Sequence, residues 1–151
     1  MPGSRKTLQH SPPSFVPGGS WFFITLCCLP RGLNQLCLPD KSPLLLKDAV
    51  FYHQQRPWVL HAFLLMPDHL HLIAAFPHDK IMAEIIRNWK RLTNRRTGVV
   101  WQKNFFDHRL RSKDELQLKT EYIADNPVRK GLIGRPDDWP HFVDYQSLVG
   151  R

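Results

Sequence analysis

By residue type and spacing, two histidines one residue apart are the clearest candidates for chemistry in this 151-residue chain. His69 and His71 lie in the stretch MPDHLHLIAAF (66–76), just after the turn-forming residues Met66-Pro67-Asp68. Successive residues of a strand face opposite sides, so both imidazoles face one way while the intervening leucines face the core. Such a pair can hold one metal ion, or it can be the polar face of a half-buried strand.

A tyrosine and an asparagine form the second candidate feature. Tyr122 and Asn126 lie in EYIADNPVRKGL (121–132), and a spacing of four residues puts them on the same face of a helix. The asparagine oxygen is a hard ligand suited to Mg²⁺ or Mn²⁺, and the phenol is a potential nucleophile. The same spacing also fits a tyrosine packed in the core and an asparagine that caps the helix. This feature alone does not decide between chemistry and packing.

The positive charge of the chain is concentrated in one segment. The formal net charge is +8, and residues 81–113 hold nine basic and two acidic residues. A localised positive field of this kind favours a polyanion, most commonly nucleic acid. Trp89 falls on the apolar stripe of the predicted helix and is assigned to the core. Six basic residues are predicted to contact DNA: Arg87, Lys90, Arg91, Arg95, Lys103 and Arg109.

Composition excludes several other classes of protein. Cys27, Cys28 and Cys37 form no CxxC pair, so neither a disulfide framework nor a zinc ribbon is predicted. The first residues are polar and proline-rich with no apolar signal segment, and no apolar run approaches the length of a membrane span. We therefore expect a cytoplasmic, soluble protein that does not contact a membrane.

The apolar patterns predict elements in the order β-α-β-β-α-β. The predicted strands are 20–29, 59–65, 69–76 and 104–110, and the predicted helices are 44–55 and 81–96. A third helix begins at the capping box Ser112–Glu115 and is predicted to end at Asn126-Pro127. This is the α+β, ferredoxin-like or RRM-like split βαβ order, with an added C-terminal helix that carries the tyrosine. Residues 1–17 are predicted to be a flexible arm, and 18–151 a single domain.

Five segments together resemble the REP-associated tyrosine transposases, a branch of the single-tyrosine HUH transposase family. They occur in the family's order and span most of the chain: GGSWFFITL (18–26), MPDHLHL (66–72), WQKNFFDHRLR (101–111), EYIADNPVRKGL (121–132) and DDWP (137–140).

This resemblance implies a role for each candidate residue. His69 and His71 would be ligands of Mg²⁺ or Mn²⁺, Tyr122 the nucleophile, and Asn126 a third ligand or an orienting group. The implied activity is cleavage and joining of single-stranded or hairpin (REP-like) DNA through a 5′-phosphotyrosine intermediate. The residues 18–151 would then be a transposase-like catalytic domain, acting as a monomer or homodimer.

Two further pairs of residues receive predicted roles. Gly18 and Gly19 match the glycine pair that this branch uses in recognising its hairpin DNA. Asp107 and His108, on the predicted neighbouring strand, are candidates for orienting a ligand imidazole by a hydrogen bond, although they fit equally well as surface residues.

Two other classes of protein remain compatible with these patterns. A non-catalytic nucleic-acid-binding module of the RRM type, such as a transposase that has lost cleavage, has the same order of elements. A small zinc hydrolase could use His69 and His71 with His78 or His53. Barrel amidohydrolases also use two histidines in this spacing, but a barrel needs about 250 residues and is excluded by length.

Overall fold

The computed structural model describes residues 20–148, and this part of the chain contains six strands and four α-helices. The predicted arm (1–17) and the pair Gly18 and Gly19 lie outside the described residues. Within 20–148, no helix combines the length and apolar character that spanning a bilayer requires. The strands are β1 (Trp21–Leu29), β2 (Val59–Leu65), β3 (His69–Ala75), β4 (Val100–Trp101), β5 (Phe106–Leu110) and β6 (Phe142–Asp144). The helices are α1 (Ser42–Gln55), α2 (Met82–Thr97), α3 (Lys113–Arg129) and α4 (Tyr145–Leu148).

The sheet has the strand order of a ferredoxin-like fold. β1 and β3 lie at the centre, with β2 beside β3 and β5 beside β1, and every pairing is antiparallel. β4 pairs with the far end of β1, and β6 extends the sheet beyond β2. The predicted α+β fold is confirmed, and β4 and β6 are two short strands that the sequence did not predict.

Each face of the sheet has its own hydrophobic core. The first core packs Ile24 and Leu72 of the central strands under α1 and α2, and it includes Trp89, which is fully buried as predicted. The second core packs Phe23 and Ile73 of the same strands under α3. Because residues of a strand alternate between its faces, this places α3 on the side opposite α1 and α2.

The two covered faces explain why the histidine strand is so apolar. A strand that is buried on both sides is a continuous hydrophobic run rather than an alternating one. The alternative to a metal-binding pair is a half-buried strand whose polar face carries the two histidines. That alternative is wrong, because α3 covers the face on which the histidines lie, and His71 retains only 6% of its exposure.

The start of α3 follows the predicted capping pattern with one difference. Ser112 is the residue before the first turn, and its Oγ accepts a hydrogen bond from the Glu115 backbone N–H at 3.1 Å. The Glu115 carboxylate accepts from the N–H of Arg111 rather than from that of Ser112. The cap is therefore extended by one residue, and it satisfies a donor at the end of β5.

The end of α3 corrects the prediction that Asn126-Pro127 stops the helix. Pro127 lies inside α3, which continues to Arg129. Proline lacks a backbone N–H and so removes one helical hydrogen bond, and Pro127 is one of the buried residues of this helix. The chain leaves the helix at Gly131, whose φ of +73° favours glycine.

Candidate active site

Strand register brings both histidines to the face of the sheet covered by α3. On β1, Thr25 lies opposite His71 and Cys27 lies opposite His69. Directly opposite residues of an antiparallel pair point to the same face, and Phe23 of that face packs in the second core. The prediction that the two imidazoles point the same way is confirmed, with ring centroids 4.9 Å apart.

Helix α3 presents Tyr122 to this pair. The tyrosine ring centroid lies 5.9 Å from that of His71 and 6.1 Å from that of Phe23, both edge-on. Tyr122 is 41% exposed, and Leu118, one turn earlier, is 65% exposed. The alternative of a tyrosine packed in the core is therefore wrong. The phenol stands at the surface beside the more buried of the two histidines.

Each imidazole is fixed through its Nδ1 atom. His69 Nδ1 donates to Asp68 Oδ1 at 2.8 Å, and His71 Nδ1 is hydrogen-bonded to Thr25 Oγ1 at 2.9 Å. In the tautomer in which each Nδ1–H donates, both Nε2 atoms carry lone pairs and are left for another partner. Metal-binding histidines typically show this arrangement, in which a hydrogen bond to the second nitrogen fixes tautomer and ring orientation.

Asp68 is itself held by the loop that follows β1. Arg31 Nε donates to Asp68 Oδ2 at 2.9 Å, and the backbone N–H of Gly32 donates to the same oxygen at 2.8 Å. Gly32 has φ of +87°, a conformation that suits glycine and turns its N–H towards the carboxylate. Although burial raises the pKa of Asp68, the hydrogen bonds from Arg31 and His69 outweigh it and hold the pKa below its usual value. Asp68 is thus a fixed anion behind His69.

Burial keeps His71 neutral. Removal from water, with smaller electrostatic effects of His69 and of the nearby cations Lys119 and Arg129, lowers the pKa of His71 to about 3. The ring is therefore uncharged at neutral pH. A neutral imidazole is the form that binds a metal ion.

Asn126 has the properties expected of a metal-binding or orienting amide. It lies one turn after Tyr122, is only 1% exposed, and neither amide atom has a hydrogen-bond partner. A buried amide without a partner is costly, and such groups call for an explanation such as an ion. Among residues 20–148, no three His, Cys, Asp or Glu side chains form a group that could hold a metal. An ion at the histidine pair would need the Asn126 oxygen or the DNA itself as a further ligand, and the residues present fit that requirement.

Two cations that the sequence analysis did not single out lie against Tyr122. Lys119 Nζ is 5.2 Å from the centroid of the tyrosine ring and 4.7 Å from that of Phe23. Arg129 Cζ is 4.2 Å from the tyrosine ring centroid. Their spacings of three and seven residues from Tyr122 match one and two helical turns, a signal that the sequence did contain.

The predicted basic surface lies on the other side of the sheet. Arg87, Arg91 and Arg95 are exposed on α2, which packs on the first core, whereas Tyr122 is on α3. Arg109 lies opposite Phe22 on β1, which also packs against the first core. The basic surface and the tyrosine therefore face different sides of the molecule.

Lys90 has a structural role that the sequence did not predict. Its ammonium donates to the carbonyls of Gln102 and Lys103 at 2.8 and 3.1 Å, and burial lowers its pKa. Lys90 therefore secures the loop between β4 and β5. The prediction that it binds a DNA phosphate is wrong, because its ammonium is already engaged. Beside it, Arg87, Lys103 and Phe105 line a cleft of about 410 Å³.

Asp107 and His108 do not orient the histidine pair. Asp107 lies opposite Ile24 and so faces the first core, away from His71. His108 lies on the correct face, but its Nε2 is 3.9 Å from Glu115 Oε2. Thr25 and Asp68 hold the imidazoles instead.

The structure also argues against a zinc hydrolase and against an RRM-type binder that uses an open sheet. His53 Nδ1 accepts from the N–H of Leu60, near the end of β2 that pairs with Ala75, and His78 follows the same end of β3. His69 lies at the opposite end of β3, so neither His53 nor His78 can join it to form a zinc site. An RRM-type binder needs exposed aromatic residues on an open sheet, but here Trp21 and Phe23 are buried and α3 covers that face.

Comparison with known proteins identifies relatives of the chain. No protein-family model matches it. It is 26% identical over 140 residues to the REP-associated tyrosine transposase of Escherichia coli K12, covering 91% of this chain and 82% of the relative. Its sequence is similar to that of the REP-associated tyrosine transposases. It is also 26% identical, over 84% of its length and 80% of the relative, to the putative REP-associated tyrosine transposase of Haemophilus influenzae Rd.

The fold of the REP-associated tyrosine transposases is shared as well. A solved structure of such a transposase bound to a REP hairpin superposes with a TM-score of 0.72 at 25% identity, covering 82% of this chain and 75% of that one. A putative transposase from Deinococcus radiodurans R1 gives a TM-score of 0.54 at 15% identity, covering 68% and 88%, which shows the fold alone. The predicted family resemblance and fold are confirmed.

Proposed function

We propose that this protein cleaves and rejoins single-stranded or hairpin DNA through a covalent bond between Tyr122 and a 5′ phosphate. The observation that carries the proposal is the exposed phenol of Tyr122, whose ring is 5.9 Å from that of His71. The solved relative bound to a REP hairpin supports hairpin DNA as the partner class. We also propose that the protein acts in the cytoplasm, as a monomer or a homodimer.

Tyr122 has the role of nucleophile. A new bond forms between its Oη and phosphorus, and the bond from phosphorus to the 3′ oxygen breaks. The phenolic proton passes to solvent, and the departing 3′ oxygen takes a proton from solvent. The products are a 5′-phosphotyrosine and a free 3′ hydroxyl. Because the tyrosine ester keeps the phosphodiester energy, attack by a 3′ hydroxyl reverses the reaction without ATP, which suits joining better than hydrolysis.

His69, His71 and Asn126 would hold Mg²⁺ or Mn²⁺. Bound there, the ion would act as a Lewis acid towards the scissile phosphate and as a template for it. The two fixed imidazoles with free Nε2 atoms and the unpartnered buried amide support this assignment. Asp68 and Thr25 orient the two imidazoles.

The test of this function uses DNA hairpins with a single-stranded flank, labelled at either end, and Mn²⁺. On a denaturing gel, we expect the 3′-side fragment to migrate as a protein adduct, and the 5′-side fragment to end in a hydroxyl. Since the target sequence is unknown, a library of hairpins with a randomised flank is used. Cleavage that leaves both fragments free of protein would contradict the proposal.

Asp68→Asn is expected to weaken metal binding while leaving the fold intact. Asparagine fills the same space but lacks the negative charge of the carboxylate, whose oxygens accept hydrogen bonds from His69 Nδ1–H and Arg31 Nε. Loss of such an orienting partner typically costs about 10–100-fold in metal affinity or activity. Titration of Mn²⁺ against cleavage rate measures the effect. Asp137→Asn, at an exposed position on the 3₁₀ turn Pro136–Asp138, is the control.

We propose that the exposed arginines of α2, with Lys103, Arg109 and the Gly18-Gly19 segment, hold the DNA. The arginines of α2 and Arg109 face away from Tyr122, so they would bind a different part of the DNA from the scissile phosphate. β5 is the edge between the two sides, with Arg109 towards the first core and the 57% exposed Phe106 towards α3. A single strand passing round this edge would connect the two.

Replacing Arg87, Arg91 and Arg95 together by alanine is expected to weaken binding without slowing the chemical step. Each lost phosphate contact reduces the slope of log K against log salt by about one. Fluorescence anisotropy over a range of salt concentrations measures the slope, and single-turnover cleavage at saturating DNA measures the chemistry. The exposed Arg135, outside this surface, gives the control variant Arg135→Ala. An unchanged salt slope would remove α2 from the DNA-binding surface.

A further inference from the structure

Arg129, in the last turn of α3, reaches back two turns to Tyr122. Its Nη2 donates to the Tyr122 backbone carbonyl at 2.7 Å, and its Cζ lies 4.2 Å from the centroid of the tyrosine ring. One side chain thus contacts both the main chain and the ring of this residue. We propose that Arg129 is a positioning residue that holds Tyr122 in the orientation for attack, an inference that rests on the function proposed above.

The bond from Arg129 to Tyr122 spans a weak point of the helix. Pro127 has no N–H to donate to the carbonyl of Ile123, and its ring crowds that carbonyl. The turn that carries Tyr122 and Asn126 is therefore less firmly tied to the end of α3 than an ordinary helical turn. The hydrogen bond from Arg129 crosses this gap and ties the two turns together.

The stacking of Arg129 restricts a side chain that is otherwise free to move. A partly exposed tyrosine commonly populates more than one staggered rotamer. Here the rings of Phe23 and His71 contact Tyr122 edge-on, and the guanidinium lies over the ring itself. In-line attack on phosphorus needs one orientation, and a misplacement of about 1 Å can cost about a hundredfold in rate.

The neighbouring Lys130 separates positioning from charge. It carries the same charge one residue further along, and among the described contacts it makes none with the ring or carbonyl of Tyr122. Removing either cation lowers the net charge equally. Within residues 20–148 Arg129 forms no ion pair with an acidic side chain, so its removal leaves no carboxylate unpaired. Only removal of Arg129 frees the tyrosine.

The experiment measures the single-turnover rate of adduct formation at saturating hairpin DNA, together with the dissociation constant. Arg129→Ala is expected to lower the rate by about 10–100-fold and to change affinity by less than about threefold. Lys130→Ala should give a similar change in affinity with a rate within about twofold of the unmodified protein. Arg129→Lys should restore the affinity but not the full rate, because an ammonium lacks the planar fork that stacks and donates together.

Two results would overturn the inference. One is an Arg129→Ala protein with an unchanged rate at saturating DNA; the other is a loss confined to affinity and matched by Lys130→Ala. Thermal unfolding shows whether each variant is folded. Should Arg129→Ala not fold, the lysine variant decides, and a full rate there contradicts the proposal. Absence of any adduct in the unmodified protein would instead contradict the proposed function.

Discussion

Tyr122→Phe is expected to abolish the covalent DNA adduct while leaving hairpin binding nearly unchanged. Phenylalanine keeps the ring that contacts Phe23, His71 and Arg129 and removes only the hydroxyl. The residue is 41% exposed, so stability should change by no more than about 0.5 kcal/mol. Removing a nucleophile typically costs many orders of magnitude, and a loss of at least about 1,000-fold is expected. Gel quantification of adduct against time measures it.

The chain provides a control for this substitution. Its other two tyrosines are Tyr52, which packs edge-on against Trp58, and Tyr145, which packs against the second core. Tyr52→Phe and Tyr145→Phe should form the adduct at the normal rate. An adduct that persists in Tyr122→Phe and disappears in either control would reassign the nucleophile.

Loss of His71 is expected to have the second large effect. His71→Ala removes one of the two Nε2 atoms proposed to hold the metal, and cleavage should fall by at least about 100-fold at any Mn²⁺ concentration. Hairpin affinity should be largely retained, because phosphate contacts supply most of it. His69→Ala should behave in the same way. Single-turnover cleavage over a Mn²⁺ titration, with binding measured in parallel, separates the two effects.

The burial of His71 requires a stability control. Alanine at this position leaves a cavity, so unfolding must be followed for each variant. Thr25→Val keeps the imidazole and removes only its hydrogen-bond partner at 2.9 Å, and it should give an intermediate loss of rate. If His71→Ala cleaved at the normal rate while remaining folded, or if a chelator left the unmodified protein fully active, the metal proposal would be wrong.

The elements that carry the site could be predicted because their patterns are local. β2 was predicted to the residue at 59–65, and β3 to within one, since apolar runs bounded by Pro57 and Pro67 leave little freedom. The two-residue β4 and three-residue β6 exist only because β1 and β2 offer edges to pair with. Strands this short have no periodicity to detect.

The position of the basic surface could have been predicted from topology. In a split βαβ fold, right-handed crossovers place both connecting helices on one face of the sheet. The sequence already put Leu70 and Leu72 on the core side, so the histidines had to face the other way from α2. The added helix α3 was then the only predicted helix left to cover them.

The residues that orient the histidines could not be found in this way. Thr25 reaches His71 only because β1 and β3 pair in one register, and a shift by one residue would turn Thr25 to the opposite face. Asp68 is adjacent to His69 in the sequence, but its role depends on a loop that brings Arg31 and Gly32 to it. Such contacts are set by tertiary structure.

The most direct test of the central claim is to identify the residue that carries the DNA. Trypsin should release Tyr122 in the peptide TEYIADNPVR (120–129), which contains no other tyrosine. After nuclease digestion of the trapped adduct, we expect mass spectrometry to find a nucleotide 5′-phosphate on Tyr122 of this peptide. Efficient cleavage of a hairpin with this peptide unmodified, or with the nucleotide on another residue, would contradict the account.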